Sequence, residues 1–395
     1  MKNKIDNIRN VVTSHNEPGF NYGYINSPFI QFDYARNATF LVYNGRLMPI
    51  SFEDSNRIDD YWSLRENAAM YPTGELPIEI KGRDSEKLCN NIFTKDIKKL
   101  KIGRCLYGIA CYPDGGIIVD GILMRLEQDL FWYVQAEGQI YSWLIAKSEG
   151  LDVKISNPNI WVNQVQGPLS LDILYAACDD FKPKPFNYFD NARVIIAGQE
   201  VVISRTGFTA EIGWEYYVSP KADTTLLWNH LMSVGEQYGL VHSGLDSMDI
   251  RRIEAGIMNS GSDFDLTMNP YQVGLGKFVD LNKDNFIGKA ALEAAPKDKL
   301  ILGVLCDKSE PMVLGKVLVN GKNIGFVSAA AWSPYLKSGI GYVRLINSEH
   351  KSGEEVKIYG IDGKRYIAKL IELPFYDKEK KIPRGLKFIK HKNKN

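Results

Sequence analysis

Apolar residues recur along the chain in two alternating textures up to about residue 290, and in one texture after it. Leu76, Ile78 and Ile80 alternate with polar neighbours over 75–81, the period of a half-buried strand. Residues 104–112, 117–126 and 131–134 are longer apolar runs, and the Pro113-Asp114-Gly115-Gly116 turn between the first two predicts a β-meander. Residues 38–48 read as strand, 162–165 as another, and 193–203 as a strand pair turning at Ala197-Gly198-Gln199. Helical spacing is predicted over 59–70, through Leu88 and Ile92 behind Asp84 as N-cap, and over 139–149 and 169–177. It returns along Leu227, Leu231, Val234 and Tyr238, and over 247–255, with Gly256 as the stop. Beyond residue 290 only short strands remain, at 301–305, 317–319, 324–328 and 356–370, with turns at Asn320-Gly321 and Asp362-Gly363. The pattern predicts a mixed α+β region over 1–289, built of two interleaved subdomains, followed by a small β-barrel over 290–395. Strands and helices do not follow strict βαβ order, which argues against a doubly wound nucleotide fold.

Composition narrows the function classes. A chain of 395 residues suffices for two or three domains, and a net charge of +1 gives no general attraction to nucleic acid or membrane. No run approaches the ~18–20 apolar residues of a membrane span. The N-terminus lacks an apolar signal core, and its first thirty residues, broken by Pro18, Gly19, Gly23 and Pro28, read as a surface arm. The tail cations Lys387, Lys390, His391, Lys392 and Lys394 read as a solvated end. Five cysteines without C-x-x-C spacing suit a reducing cytosol, and five scattered histidines form no ligand pattern. The expectation is a cytoplasmic protein without a metal site.

The candidate chemistry centres on residues 205–218. An apolar strand enters a Thr206-Gly207 turn and another leaves it, with Phe208 in the turn and Glu215 inside the second strand. Gly207 and Gly213 mark places where the backbone takes positive φ or approaches a ligand closely. A carboxylate in an apolar strand is costly unless donors meet it; the alternative is a hairpin whose Glu215 faces water. Asp120 poses the same question in the middle of the meander. Arg46 is either substrate-facing or snorkelling.

The stretch RTGFTAEIGWEYYV resembles the TGYTGExGxE hallmark of the glycine-cleavage T-protein superfamily, tetrahydrofolate-dependent one-carbon transferases. The 115–120 (GGIIVD), 165–168 (VQGP), 252–256 (RIEAG) and 286–289 (FIGK) segments follow the family order, as do Ser333-Pro334 and the Gly-rich strand after them. The resemblance implies a folate-binding body with a central hole, closed by a C-terminal barrel. It also implies that Glu215 accepts the paired N–H donors of the pterin, and that Tyr107, Phe189, Phe208 and Trp214 line the cofactor site.

Departures from the pattern bear on the reaction. The family's Asp-Asp becomes Val119-Asp120, with valine at the position assigned to catalysis. Met248 replaces the first arginine of GLxARDxLRLEAG, and Pro72-Thr73-Gly74-Glu75 carries no histidine. Residues 42–44 with 47–49, 101–107, 261–265 before 269–270, and 274–277 resemble the dimethylsulfoniopropionate demethylase branch instead, while Arg46 and residues 72–75 differ from it. The resemblance implies an enzyme moving a methyl group from a small S-methyl or O-methyl donor to tetrahydrofolate, with Asp120 and Glu75 as candidate catalytic groups and a monomer or homodimer as the assembly. Displacement at a methyl carbon needs positioning and an apolar slot, whereas a leaving alkoxide also wants a proton. An aminomethyltransferase of the glycine-cleavage type is the first alternative. A non-catalytic folate-binding protein is the second; its Lys-Gly-Cys-Tyr signature is absent.

Overall fold

The computed structural model describes residues 25–136, 138–179, 185–219 and 221–391. The N-terminal arm up to residue 24 and the tail residues Lys392 and Lys394 lie outside them. Among the described residues the body is built on two large sheets and a two-stranded ribbon, Thr39–Tyr43 paired antiparallel with Arg46–Ser51, so the single strand expected over 38–48 is a hairpin. The six-stranded sheet runs Asn191–Ile196, Gln199–Ser204, Gly213–Val218, Trp161–Gln166, Ala68–Pro72 and Leu240–His242 in spatial order. The five-stranded sheet runs Arg104–Cys111, Ile117–Glu127, Leu130–Gln135, Leu76–Lys81 and Lys154–Ser156.

Each sheet buries one face under helices and turns the other towards its partner. Met70, Val165, Trp214, Tyr216, Ile203 and Val194 pack under helices Ser170–Ala177 and Thr224–Glu236. In the second sheet Ile78, Ile80, Val119, Leu123 and Phe131 pack under helices Ser85–Ile92 and Ile140–Lys147. The opposite faces meet through Cys105, Met124, Trp132 and Val134 on one side and Val162, Val202 and Tyr217 on the other. Strand alternation thus decides which residues reach the space between the sheets.

The predicted helix over 59–70 is shorter. It spans Arg57–Glu66, and Ala68–Pro72 is a buried strand, antiparallel to Trp161–Gln166 and parallel to Leu240–His242. Its run Ala-Ala-Met-Tyr-Pro is apolar on both faces, so it carries no alternation to distinguish it from a helix end. Asp84 precedes a helix as expected, yet its carboxylate accepts from the Asp152 N–H at 2.9 Å and not from its own helix. Gly256 ends Leu245–Glu254 at φ +68°.

The barrel closes in the order Ile301–Cys306, Ser338–Leu345, Lys322–Ser333, Lys316–Val319, Glu355–Tyr359 and Arg365–Ile371. It is joined to the body by a buried charge network. Glu254, at the end of its helix, accepts from Arg65 (3.0 Å) and Tyr61 (2.8 Å) of the body, and from Ser333 (2.5 Å) and Tyr376 on the barrel side. Glu211 joins it by pairing with Arg65 (2.8 Å) and Arg251 (2.7 Å). The chain after the barrel returns to the body, where the Pro383 carbonyl accepts from Arg205 and the His391 N–H donates to Glu66. No helix among the described residues is long and apolar enough to cross a membrane.

Candidate active site

Register places Tyr71, Gln164, Glu215, Ser204 and Asn191 side by side across five strands. Cross-strand partners share a face, so this row looks into the inter-sheet space. Glu215 is 5% exposed, and one of its oxygens accepts hydroxyls from Thr206, Tyr217 (2.8 Å) and Ser204 (3.3 Å). Burial pushes its carboxyl up, and the three hydroxyls hold it back. The alternative of a solvent-facing Glu215 is thereby removed.

Glu75 stands beside it. Gln164 Nε2 donates to Glu75 Oε1 at 3.5 Å, while Gln164 Oε1 accepts the Phe208 N–H at 3.1 Å. One amide therefore spans the turn carrying Phe208 and the loop carrying Glu75. Burial first, and then the charge of Glu215, raise the Glu75 carboxyl to about 7. Arg46 is buried and not snorkelling: its guanidinium donates to the carbonyls of Glu75 (2.9 Å) and Ile160 (2.8 Å) and lies 4.1 Å from the Trp161 ring centre. It fixes the loop from behind.

Asp120 shares the inter-sheet parity of Ile122 and Met124, and the Tyr107 hydroxyl donates to it. Burial raises its carboxyl to about 6 against that hydrogen bond. Val119 points the other way, into the core beneath the helices. The valine therefore takes no acid out of the inter-sheet space, contrary to the reading in which position 119 faces the substrate; the surviving aspartate is the one that looks in.

The aromatic candidates divide. Tyr107 packs on Phe278, ring centres 4.5 Å apart. Phe208 lies half-buried on Leu64, Ala69, Tyr71 and Met248. Phe189 sits at φ +68° among Cys105, Met124 and Tyr217, and its carbonyl accepts the Cys105 N–H. Trp214 is fully buried on the opposite face from Glu215, its indole donating to the Ser170 carbonyl at 2.8 Å. One step along a strand reverses the side chain, so Trp214 is a core residue and not part of the site lining. Gly207 and Gly213 also serve otherwise than expected. Neither takes positive φ; a Cβ on either would stand 2.2 or 2.1 Å from the Gln166 amide, which runs between them.

The sequence alone attaches no site role to Gln164, Ser204, Thr206 or Tyr217. Tyr217 was within reach, because it stands two residues from Glu215 on the same strand face. Buried Glu75 Oε2 and Asp120 Oδ1 have no hydrogen-bond partner among the described residues. A face offering acceptors without donors suits a ligand rich in N–H groups, as the aminopyrimidine edge of a pterin is.

Comparison with known proteins bears on the fold and the family. The GCVT N-terminal domain profile matches residues 29–283, and that of the glycine cleavage T-protein C-terminal barrel domain matches residues 299–377. An aminomethyltransferase of Alkaliphilus metalliredigens is 33% identical over 351 residues, covering 86% of this chain and 94% of that protein. A trimethylamine-oxide aldolase of Ruegeria pomeroyi is 32% identical over 365 residues, covering 88% of this chain and 46% of that protein. Among solved structures, the glycine cleavage system aminomethyltransferase T of Bartonella henselae superposes with a TM-score of 0.81 at 22% identity, over 89% of this chain and 98% of that one. The chain belongs to the glycine-cleavage T-protein family, a family of folate-dependent transferases.

Proposed function

We propose that the chain is a tetrahydrofolate-dependent demethylase, moving a methyl group from a small S-methyl or O-methyl donor, such as dimethylsulfoniopropionate, to give 5-methyltetrahydrofolate. The observation that carries this reading is the apolar floor of the site. Met248, 2% exposed, packs with Leu64, Ala69 and Tyr71 under Phe208, at a position where the family motif has arginine. A guanidinium there would hold a polar or anionic group; a thioether offers a methyl-bearing donor an apolar slot. Such a slot fixes the line of attack, and orientation alone is worth several kcal/mol in a displacement.

Tetrahydrofolate supplies the amine nitrogen that takes up the methyl group. Glu215 accepts the N–H donors of its pterin, and Gln164 keeps Phe208 and Glu75 in register with that carboxylate. Asp120 and Glu75, both raised towards neutrality by burial, are the groups able to hold a proton for a leaving oxygen or nitrogen. For a sulfonium donor the leaving sulfide needs no proton, and the proton displaced from the folate nitrogen passes to one of these carboxylates or to solvent.

A second reading, the aminomethyltransferase, is favoured by Asp120 itself, since the inter-sheet face retains a carboxylic acid hydrogen-bonded to Tyr107. Mass spectrometry of the folate after turnover separates the two. The demethylase gives 5-methyltetrahydrofolate and the demethylated sulfide, phenol or amine. Formation of 5,10-methylenetetrahydrofolate with ammonia from an aminomethylated carrier protein would replace this reading with the second.

A further inference from the structure

Beyond the last barrel strand, Arg365–Ile371, the chain carries no helix or strand among the described residues, yet residues 376–391 cross the body and do not leave it. The segment is first stapled to itself. The Asp377 carboxylate accepts the N–H groups of Lys381 and Ile382 at 3.0 and 2.9 Å, and the Gly385 and Leu386 N–H groups return to the carbonyls of Ile382 and Lys381. It is then anchored to the body along its length. Lys380 donates to the Ala255 carbonyl at 2.9 Å, and Ile382 and Ile389 are buried. At the far end the His391 N–H donates to Glu66, and its ring centre lies 4.3 Å from that of Trp62.

Between these anchors the segment touches both ends of the turn that carries Phe208. At one end Arg205, 8% exposed, donates to the Pro383 carbonyl at 3.1 Å, the one acceptor found for its side chain among the described residues. Burial lowers the pKa of this guanidinium, against the opposing pull of Tyr175 and Tyr188. At the other end Gly385 lies so close to Ile212 that a Cβ on the glycine would stand 3.3 Å from the Ile212 Cδ1. The main chain of Arg205 is held as well, its N–H donating to the Asp190 carbonyl at 2.8 Å and its carbonyl accepting the Phe189 N–H at 3.1 Å. Thr206, next in the chain, gives its hydroxyl to Glu215, and its carbonyl accepts from Gln166 Nε2 at 3.1 Å. The Phe208 N–H goes to Gln164. A displacement at residue 205 therefore reaches a donor of Glu215 and the Phe208 ring through a short run of backbone.

Resting on the reading that a folate binds at Glu215, we propose that residues 377–391 form a strap that positions the site turn, with Arg205 as the positioning residue through which it acts. With the strap seated, the guanidinium has its acceptor, the Ile212 side chain has its cover, and the turn between them presents the Thr206 hydroxyl and Phe208 in one arrangement. With the strap lifted, a buried guanidinium loses that acceptor and turns to water, drawing residue 205 outward. The turn then samples several arrangements, and a ligand must meet the cost of ordering it. Strap and site are coupled through the backbone of the turn, without the strap supplying a group to the ligand.

Hydrogen–deuterium exchange and calorimetric titration with tetrahydrofolate, both on the full chain, test this. Ile382→Asp/Ile389→Asp unseats the strap without shortening it. Amides over 205–213 are expected to exchange about tenfold faster, those of the barrel strand Ser338–Leu345 to stay as in wild type, and the folate affinity to fall about tenfold. Arg205→Leu, with the strap residues untouched, should give the same two changes, and Arg205→Lys, which keeps one donor, should lie between it and wild type. These two variants decide the matter if the double variant does not fold. Wild-type exchange over 205–213 in Arg205→Leu, or in a double variant whose residues 380–389 exchange freely, would overturn the strap and leave the folate reading standing. So would a lower melting temperature with turn exchange and folate affinity unmoved, since the segment would then be a stabilising seam alone. Failure of the wild type to bind tetrahydrofolate would remove the folate reading, and the exchange of the turn would still decide whether the strap positions it.

Discussion

At the scale of single residues, the site is a set of buried carboxyl groups kept apart by hydroxyls and one amide. Glu215 has three hydroxyl donors on one oxygen, enough to tolerate its burial and not enough to saturate it. Glu215→Gln keeps the shape and reverses part of the hydrogen-bonding character. The expected outcome is folate binding weaker by roughly 1.5–3 kcal/mol with an unchanged fold, read by calorimetry beside circular dichroism. Unaltered affinity would mean that the pterin lies elsewhere. Asp120 gives a stability signature. Its folded-state carboxyl is raised from 3.8 to about 6. The folded protein therefore holds this proton more tightly than the unfolded chain does. The stabilisation is complete below the unfolded value and is lost as pH rises through about 6, on the order of 3 kcal/mol in all. Urea unfolding should show wild type losing more stability than Asp120→Asn between about pH 4 and pH 7. Parallel losses would place the raised carboxyl somewhere other than Asp120.

At the scale of elements, parity along strands explains which sequence expectations hold and which do not. The meander, the strand pair over 193–203 and the barrel strands are present because their periods and turns are local properties. Ala197 and Gly198 take φ of +51° and +73°, as a two-residue hairpin turn requires. The position of Glu215 was legible, since a charge inside an apolar strand asks for partners. The facing of Trp214 and Val119 was not. Adjacent residues in a motif read alike, but a strand turns them to opposite faces, and the sequence motif does not state which face is the site. Ala68–Pro72 escaped because a strand buried on both faces leaves no period to read. Tight packing between elements yields a further expectation. Gly213→Ala would force a methyl group into the Gln166 amide, whose Nε2 donates to the Thr206 carbonyl at 3.1 Å. The cost expected is about 1–3 kcal/mol, seen as a lower urea midpoint. A neutral result would show that Gln166 has another rotamer available.

At the scale of the whole molecule, body and barrel share an interior. Glu254 draws donors from both, and the chain beyond the barrel runs back along the body to Glu66. Neither side of that junction is a surface with its own water. Arg65, wholly inside, contacts Glu211 and Glu254 of the body and the Tyr376 hydroxyl that follows the barrel. Breaking such a buried set by removing one partner costs far more than its net contribution, because the charges left behind have lost both protein and solvent.

That junction sets a rule for how the gene can be cut and recombined. A barrel exchanged from a relative must bring a serine and a tyrosine that reach Glu254, or leave a carboxylate and two guanidinium groups short of donors and acceptors in a sealed seam. Chimeras joined near residue 295 are therefore constrained by chemistry some forty to eighty residues downstream, at Ser333 and Tyr376, where no crossover site is visible. The two halves are exchangeable only as one unit, or with those donors kept.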